Sequence, residues 1–154
     1  MTIEDDIAFL ERIPILRQLG TPALRMLAIG GESVAIGAGE QLFRFGDAAD
    51  SAYIVQRGSF RLRPERPGGH EVIAGPGTLI GESALLAETA RPATATARED
   101  SAVLRISRSM FLKMLEGYPD AAARLRELIM SRADQWTREV EGIRDALARG
   151  TKPE

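Results

Sequence analysis

Short apolar runs separated by glycines fill the middle of the chain, and they restrict its fold more than any other feature. Between residues 32 and 106 the three- and four-residue spacing of apolar positions that marks a helix is absent. β-type runs take its place, at positions 33–36, 41–43, 52–55, 60–62 and 103–106. The glycines that separate them stand at positions 37, 39, 46, 58, 68, 69, 75, 77 and 81. Short strands with turns at this spacing predict an antiparallel sandwich or barrel.

Helical patterns lie on both sides of this β region. Before it, apolar residues recur at helical spacing, at Ile7, Leu10, Ile13, Leu16, Leu19, Leu24, Leu27 and Ala28. Pro14 and the Gly20-Thr21-Pro22 sequence interrupt the pattern, which therefore predicts several short helices. Thr21 is expected to be an N-cap and Pro22 the first helical position.

After the β region, Ser107 is expected to cap a helix that ends near Gly117. A longer helix is predicted to begin at Pro119 and to continue to about Arg149. Its apolar positions follow a heptad spacing, at Ile129, Ala133, Trp136, Val140, Ile143 and Leu147. Such a stripe predicts a homodimer through this helix. The alternative is that the helix packs back on its own barrel, most readily near Leu125.

The length of 154 residues is that of one typical domain. We expect residues 1–118 to form the helical N terminus, the β domain and its short following helix. Residues 119–149 are expected to form the long C-terminal helix, which would cover a ligand and dimerise, and residues 150–154 a tail.

Composition excludes several classes of function. The chain has no cysteine and a single histidine, His70, so thiolate zinc sites, iron–sulfur clusters, Cys–His nucleophilic pairs and multi-histidine metal cages are ruled out. We therefore expect no cofactor and no enzymatic activity. The stretch 66–70 predicts a hairpin turn that places His70 on a solvated loop.

Charge and hydropathy restrict the partners. The chain carries 20 lysines and arginines against 22 aspartates and glutamates, a net charge of −2, which does not create the basic field that nucleic-acid binding requires. The N terminus is acidic, and the sequence contains no apolar stretch long enough to cross a membrane. We expect a cytoplasmic protein that binds neither DNA nor a membrane.

The stretch GESALLAETARPATATA, residues 81–97, carries the clearest chemical signal. Gly81 permits close backbone approach, and Glu82 can accept hydrogen bonds from a sugar hydroxyl. Backbone amides near Ser83 and Ala84 open a short helix and can receive an anion. Arg91 supplies a fork of donors for phosphate oxygens. The residue types therefore suit a ribose phosphate.

Two structural alternatives remain open for the charged residues of this stretch. Glu82 can cap the amides beside it, and Arg91 can pair with Glu82 or with Glu88. Desolvating both charges at the mouth of a barrel is costly without a polar partner, which favours a ligand. Asp47 and Asp50 are interpreted as turn residues.

The stretch resembles the phosphate-binding cassette of the cyclic nucleotide-binding domain family, in which Gly-Glu-x-Ala-Leu is followed by an arginine and small residues. The resemblance continues in the helices of 8–27, the early strands at 46–58 and the approach to the cassette at 76–82. It covers residues 8–148. The family fold is a mostly β structure, an antiparallel β-roll of jelly-roll type with N-terminal helices and a long C-terminal helix. In the cassette itself, Leu85 and Leu86 are expected to lie in the core.

The resemblance also implies the ligand-binding positions, which are Gly81, Glu82, Ser83, Ala84, Arg91, Pro92, Ala93 and Thr94. Pro92 departs from the family pattern, because many members have Ser, Thr or Ala there and proline offers no amide hydrogen. Members that prefer cGMP commonly have Thr at this position, so cAMP is favoured here. Loss of one donor is expected to weaken binding by about 1 kcal/mol, and by up to about 3 if its partner stays buried.

These observations favour a regulatory protein in which a cyclic nucleotide repositions the C-terminal helix and so signals to a downstream protein that the sequence does not identify. The alternatives are a dimeric scaffold with a degenerate pocket and a receptor for a small anion or nucleotide-like ligand. Relatives that act as transcription factors carry a DNA-reading module after the long helix, whereas only residues 150–154 follow it here.

Overall fold

The computed structural model describes residues 2–65 and 68–128, and its N-terminal layer consists of three short helices. These are α1 (Ile3–Glu11), α2 (Pro14–Arg17) and α3 (Thr21–Gly30). Helix α1 begins with reciprocal capping, because Thr2 Oγ1 accepts from the Asp5 amide and Asp5 Oδ2 accepts from the Thr2 amide, each at 3.2 Å. These hydrogen bonds, with the Thr2 amide first, lower the pKa of Asp5.

The start of α3 differs from the prediction by one residue. Gly20 is the N-cap, and Thr21 and Pro22 are the first two helical residues. The reason is the backbone of Gly20, whose φ of 85° lies in the left-handed region that glycine adopts without strain. The chain therefore reverses direction at Gly20 and leaves Thr21 already inside the helix.

The described residues contain ten strands, which agree with the predicted β region and add to it. They are β1 (Glu32–Ile36), β2 (Gln41–Phe43), β3 (Ala48–Ala49), β4 (Ser51–Arg57), β5 (Phe60–Arg63), β6 (Val72–Ala74), β7 (Leu79–Ile80), β8 (Thr89–Ala90), β9 (Thr94–Ala97) and β10 (Ser101–Ser107). A 3₁₀ helix, Glu82–Leu85, lies between β7 and β8.

The strands form two four-stranded sheets and one short ribbon, and the pairs are antiparallel. The first sheet has the order β1-β10-β4-β7, the second β2-β9-β5-β6, and β3 pairs with β8. This is the predicted antiparallel β-roll with flanking helices. The hairpin of β5 and β6 pairs Leu62 with Val72 and confirms the turn expected between them, although residues 66–67 lie outside the described part.

Two apolar clusters form the core. The first joins the N-terminal helices to the face of the first sheet that points away from the inside of the roll, and it includes Leu10, Leu16, Leu24, Leu27, Ile54, Ile106 and Phe111. The second fills the roll itself with Val55, Phe60, Ala74, Ile80, Ala97 and Val103. Leu85 joins the first cluster as expected, but Leu86 is 37% exposed and is not a core residue. Successive residues of a 3₁₀ turn point in different directions, so only one of the two leucines faces inward.

Two helical segments follow the last strand. Ser107 Oγ accepts from the Met110 amide at 3.2 Å and caps α4 (Arg108–Gly117), as predicted. Residues 119–128 are helical, and Leu125 is buried in the first cluster, so this part of the long helix packs on its own domain. The rest of the predicted long helix, with its predicted stripe (Ile129, Ala133, Trp136, Val140, Ile143 and Leu147), falls on residues outside the described part.

Within the described ranges, the structure contains no helix of sufficient length and apolar character to cross a membrane.

Candidate functional site

The predicted site begins with a tight turn over residues 81–86, here called the 81–86 turn. Gly81 follows β7 with a φ of 78°, and the 3₁₀ helix starts at the next residue. The Ala84 amide donates to the Gly81 carbonyl at 3.1 Å, and the Leu86 amide to the Ser83 carbonyl at 3.4 Å. The Ala84 amide, expected to receive an anion, is therefore already used within the turn, because a 3₁₀ helix joins each residue to the third one before it. Ser83 is exposed.

Arg91 is fixed by its backbone at the end of β8. Its amide donates to the Asp47 carbonyl at 2.8 Å, and its carbonyl accepts from the Gly46 amide at 2.9 Å. Asp47 closes its own turn by accepting from the Arg44 amide at 3.0 Å, so its interpretation as a turn residue is confirmed. The backbone of Arg91 is therefore held on both sides.

The side chain of Arg91 is turned into the protein and is only 4% exposed. Its Nη2 donates to the Ser51 carbonyl at 2.8 Å and approaches Ser51 Oγ at 3.5 Å. Its Cζ lies 4.3 Å from the ring centroid of Phe43 and 5.5 Å from that of Tyr53. The Arg91 cation thus contacts two aromatic faces and a buried carbonyl. The alternative ion pair of Arg91 with Glu88 is absent from the described residues.

One nitrogen of this guanidinium, Nη1, is buried without a hydrogen-bond partner among the described residues. Burial lowers the pKa of Arg91, but an arginine remains a cation at neutral pH. The guanidinium lies so close to Gly81 that a Cβ atom there would overlap Nη1. Glycine at this position therefore makes the room in which Arg91 lies, and the structure brings these two predicted site residues together.

The residues that follow Arg91 in the sequence border a cavity of about 620 Å³. It is lined by Phe45, Leu62, Pro64, Glu65, His70, Val72, Pro92 and Ala93. The lining thus includes the two predicted site residues that follow Arg91. Its volume lies within the range of about 300–1,000 Å³ that is usual for sites of small ligands. Phe45 and Val72 remain 46% and 55% exposed, so the cavity offers apolar surface to a ligand.

Sequence reasoning missed part of this lining. His70 is exposed, as expected for a loop residue, but it faces the cavity together with Glu65. The signal was the alternation of buried and outward residues in the hairpin: Phe60 and Leu62 point inward, and the register places Val72 opposite Leu62. Extending that register toward the turn places His70 opposite Pro64, on the face of Leu62 and Val72, whereas Glu65 lies outside this alternation.

Glu82 lies on another side of the 81–86 turn. It lines a narrow depression together with Leu16, Leu85, Phe111 and Leu125, where the turn meets the helices. Glu82 is thus a lining residue of this depression and does not line the cavity of Pro92 and Ala93.

Thr94 has a structural contact, because its Oγ1 accepts from the Phe45 amide at 2.9 Å and ties β9 to the loop at the mouth of the cavity.

Comparison with known proteins identifies the family of this chain. The family model of the cyclic nucleotide-binding domain matches residues 33–118, more than half of the chain. The chain belongs to the cyclic nucleotide-binding domain family. The match includes the 81–86 turn, Arg91 and all the residues that line the cavity.

Individual relatives differ in how much of their length they share with this family member. The Cyclic AMP receptor protein of Thermus thermophilus is 36% identical over 97 residues, which are 61% of this chain and 45% of that protein. Lysophospholipase nte1 of Aspergillus fumigatus is 32% identical over 104 residues, or 66% of this chain but 7% of the lysophospholipase. The chain therefore spans less than half of the length of either relative.

A solved structure gives a match over nearly all of the neighbour. The cyclic nucleotide-binding-like protein of Brucella abortus superposes with a TM-score of 0.64 and 41% sequence identity, over 73% of this chain and 98% of that one. The fold and the family thus agree with the resemblance carried by residues 81–97.

Proposed function

We propose that this chain is a regulatory module that binds a cyclic nucleotide, with cAMP favoured, in the cavity beside Arg91. One observation carries the proposal: a cation that is only 4% exposed keeps a guanidinium nitrogen with no hydrogen-bond partner among the described residues, and the next two residues line the cavity. An unpaired donor of a buried charge is costly. A phosphate provides both the charge and the acceptor oxygens that Arg91 lacks.

The other site residues then receive roles that follow from their positions. Pro92 and Ala93 form the wall next to the phosphate, and Gly81 provides the space for the guanidinium. Phe45 and Val72 offer apolar surface to the base. The preference for cAMP is supported by Pro92, which has no hydroxyl for a guanine, and by the likeness to a protein named for cyclic AMP.

Glu82 connects ligand binding to the helices. We propose that its carboxylate accepts from a ribose hydroxyl, which requires the 81–86 turn to move away from the depression shared with Phe111 and Leu125. Both of these residues belong to the helical layer that follows the roll. A ligand that binds the moved arrangement more tightly shifts the conformational equilibrium toward that arrangement, by a free energy set by the difference in affinity. The helices then move with the turn. The stripe from Ile129 to Leu147 is proposed to hold two such helices together as a homodimer.

One observation favours a second function, a scaffold with a degenerate pocket. Nη2 of Arg91 already donates to Ser51, the Ala84 amide is used within the turn, and Pro92 has no amide to donate. In that case the cassette is a structural remnant, and the protein acts through its helices alone.

Thermal unfolding with cAMP, cGMP and acyclic AMP separates the two functions. A ligand at 100 times its dissociation constant stabilises the fold by about 2.7 kcal/mol, which moves the midpoint by several degrees. We expect the largest shift with cAMP and its loss in Arg91→Met. Arg63→Met is the matched control, because that arginine lies on the surface beside Glu71. The absence of a shift with both cyclic nucleotides at millimolar concentration would favour the scaffold.

A further inference from the structure

Arg108, the first residue of α4, reaches back from the helix to two other parts of the protein. Its Nε donates to the Ala84 carbonyl in the 81–86 turn at 2.8 Å. Its Nη2 donates to the Ala49 carbonyl at the end of β3. Its backbone amide donates to the Asp50 carbonyl at 2.8 Å. A single residue thus joins α4, the 81–86 turn and the connection between β3 and β4.

The same connection holds the ligand arginine. The carbonyls of Ala49 and Asp50 accept from Arg108, and the next one, of Ser51, accepts from Arg91. Ala49 and Ser51 are 3% and 0% exposed, so these bonds are made away from bulk water. Hydrogen bonds from a charged donor are about twice as strong as neutral ones. Three successive peptide groups therefore connect the two arginines through planar, stiff units.

The position of Arg108 has a cost that its contacts must offset. The N-terminus of a helix carries partial positive charge and favours acidic residues, yet the first turn of α4 contains none and begins with this arginine. A lysine is not equivalent, because a single ammonium cannot present the planar fork that serves two separate carbonyls. The placement is therefore explained by the two carbonyls rather than by the helix.

We propose that Arg108 is a positioning residue that makes the 81–86 turn, the Ala49–Ser51 connection and α4 move as one unit. The coupling extends to the ligand, and this part rests on the proposed function: when Arg91 turns from Ser51 to a phosphate, the connection and the turn shift, and Arg108 carries the shift to the start of α4. The contacts of Arg108 with the carbonyls of Ala84 and Ala49 exist without ligand, so this part of the proposal does not rest on the proposed function.

Amide hydrogen exchange on the full chain tests both parts with the variants Arg108→Met and Arg105→Met. Arg105 is the matched control, because it also lies near Asp50 but contacts only its exposed carboxylate, at 3.4 Å. Without ligand, we expect exchange of residues 82–87 to accelerate at least about tenfold in Arg108→Met and to stay at the wild-type rate in Arg105→Met. Arg108→Lys should lie between the two, because it retains one contact.

The second comparison repeats the measurement with saturating cAMP. The wild type and Arg105→Met should show altered exchange both at residues 82–87 and at residues 111–117. Arg108→Met should keep the response of the turn and lose that of α4, a split that a general loss of stability does not produce.

Two results would overturn the proposal: equal exchange of residues 82–87 in the two methionine variants without ligand, or a response of α4 to cAMP that survives in Arg108→Met. If the wild type shows no response to cAMP at all, the proposed function fails, and the ligand-free comparison still decides whether Arg108 ties the turn to the helix.

Discussion

The helical end and the cavity end of the roll differ in how completely their apolar side chains are buried and their polar groups are paired. At the helical end, Leu10, Leu24 and Leu27 are fully buried and Phe111 is 1% exposed, so apolar side chains contact one another without an unsatisfied polar group. At the cavity end, Phe45 is 46% exposed, and one nitrogen of the buried Arg91 guanidinium has no hydrogen-bond partner within residues 2–65 and 68–128. The helical end therefore supplies stability, and the cavity end leaves the apolar surface and the hydrogen-bond donor that the proposed ligand would use.

This contrast arises because the helices cover one end of the roll and leave the other end open. Helices α1 and α3 pack together, and α3 packs on α4, so the first cluster receives large residues from several elements. The fully buried part of the cluster inside the roll consists of Phe60 with alanines, valines and an isoleucine, and Phe43, Tyr53 and Leu62 pack against it while only partly buried.

Truncation in each cluster gives the largest expected effect on this contrast. Phe111→Ala should lower the free energy of unfolding by about 3–5 kcal/mol, because it removes a fully buried ring and leaves a cavity. Val72→Ala at the cavity mouth should cost less than about 1 kcal/mol, because that side chain is 55% exposed. Urea unfolding measures both, and equal losses would contradict the division between the two ends.

Gly81→Ala should cause the second-largest loss in the free energy of unfolding. The left-handed φ of 78° costs about 1–2 kcal/mol with any side chain, and the new Cβ also overlaps Arg91 Nη1. Gly77→Ala is the matched control, because its φ is 86° but a Cβ there meets nothing within 4 Å.

The difference in unfolding free energy between these two alanine variants isolates the overlap with Arg91, and cAMP affinity should fall only in Gly81→Ala. Indistinguishable variants would show that Gly81 serves the turn alone.

A smaller effect is expected at the cavity wall. Pro92→Ser restores an amide and adds a hydroxyl next to Arg91, which should tighten cAMP binding by about 1 kcal/mol, or roughly fivefold. Pro76→Ser, at an exposed turn position that does not line the cavity, should leave the affinity unchanged. Calorimetric titration compares them. If Pro92→Ser only destabilises the fold, the proline serves to fix the loop.

The smallest effect concerns acid stability near the connection that both arginines bind. A hydrogen bond from Ser51 and the nearby charge of Arg105 lower the pKa of Asp50 below its ordinary value of 3.8. A carboxylate with a lowered folded pKa stabilises the fold above the unfolded pKa, and this contribution disappears as the pH falls through the folded value. Asp50→Asn should therefore cost at most about 0.5 kcal/mol at pH 7, because the group is exposed and screened.

The same substitution should cost nothing once the pH lies below the lowered pKa. Urea midpoints across the acid range measure this, and a cost that is independent of pH would show that Asp50 acts through packing instead of charge.

The sequence predicted the three N-terminal helices, α4 and their buried apolar residues because apolar residues at helical spacing leave few alternatives. It missed β9, in which Ala95 and Ala97 are buried but too small to stand out as a β-type run. It placed Arg91 at the site but not its contacts, since Ser51 and Phe43 approach it only after the sheets pair. The hydrogen bonds of Arg108 to the carbonyls of Ala84 and Ala49 likewise form only after the strands pair.

The central claim is that the open end of the roll binds a cyclic nucleotide through Arg91. Calorimetric titration of cAMP into the wild type and into Arg91→Met, with the thermal midpoint of each recorded, tests it most directly. The account predicts that the variant binds about 10- to 150-fold more weakly, equivalent to about 1.5–3 kcal/mol, while still unfolding cooperatively. Equal affinity in the two proteins, or no binding of cAMP to the wild type, would contradict it.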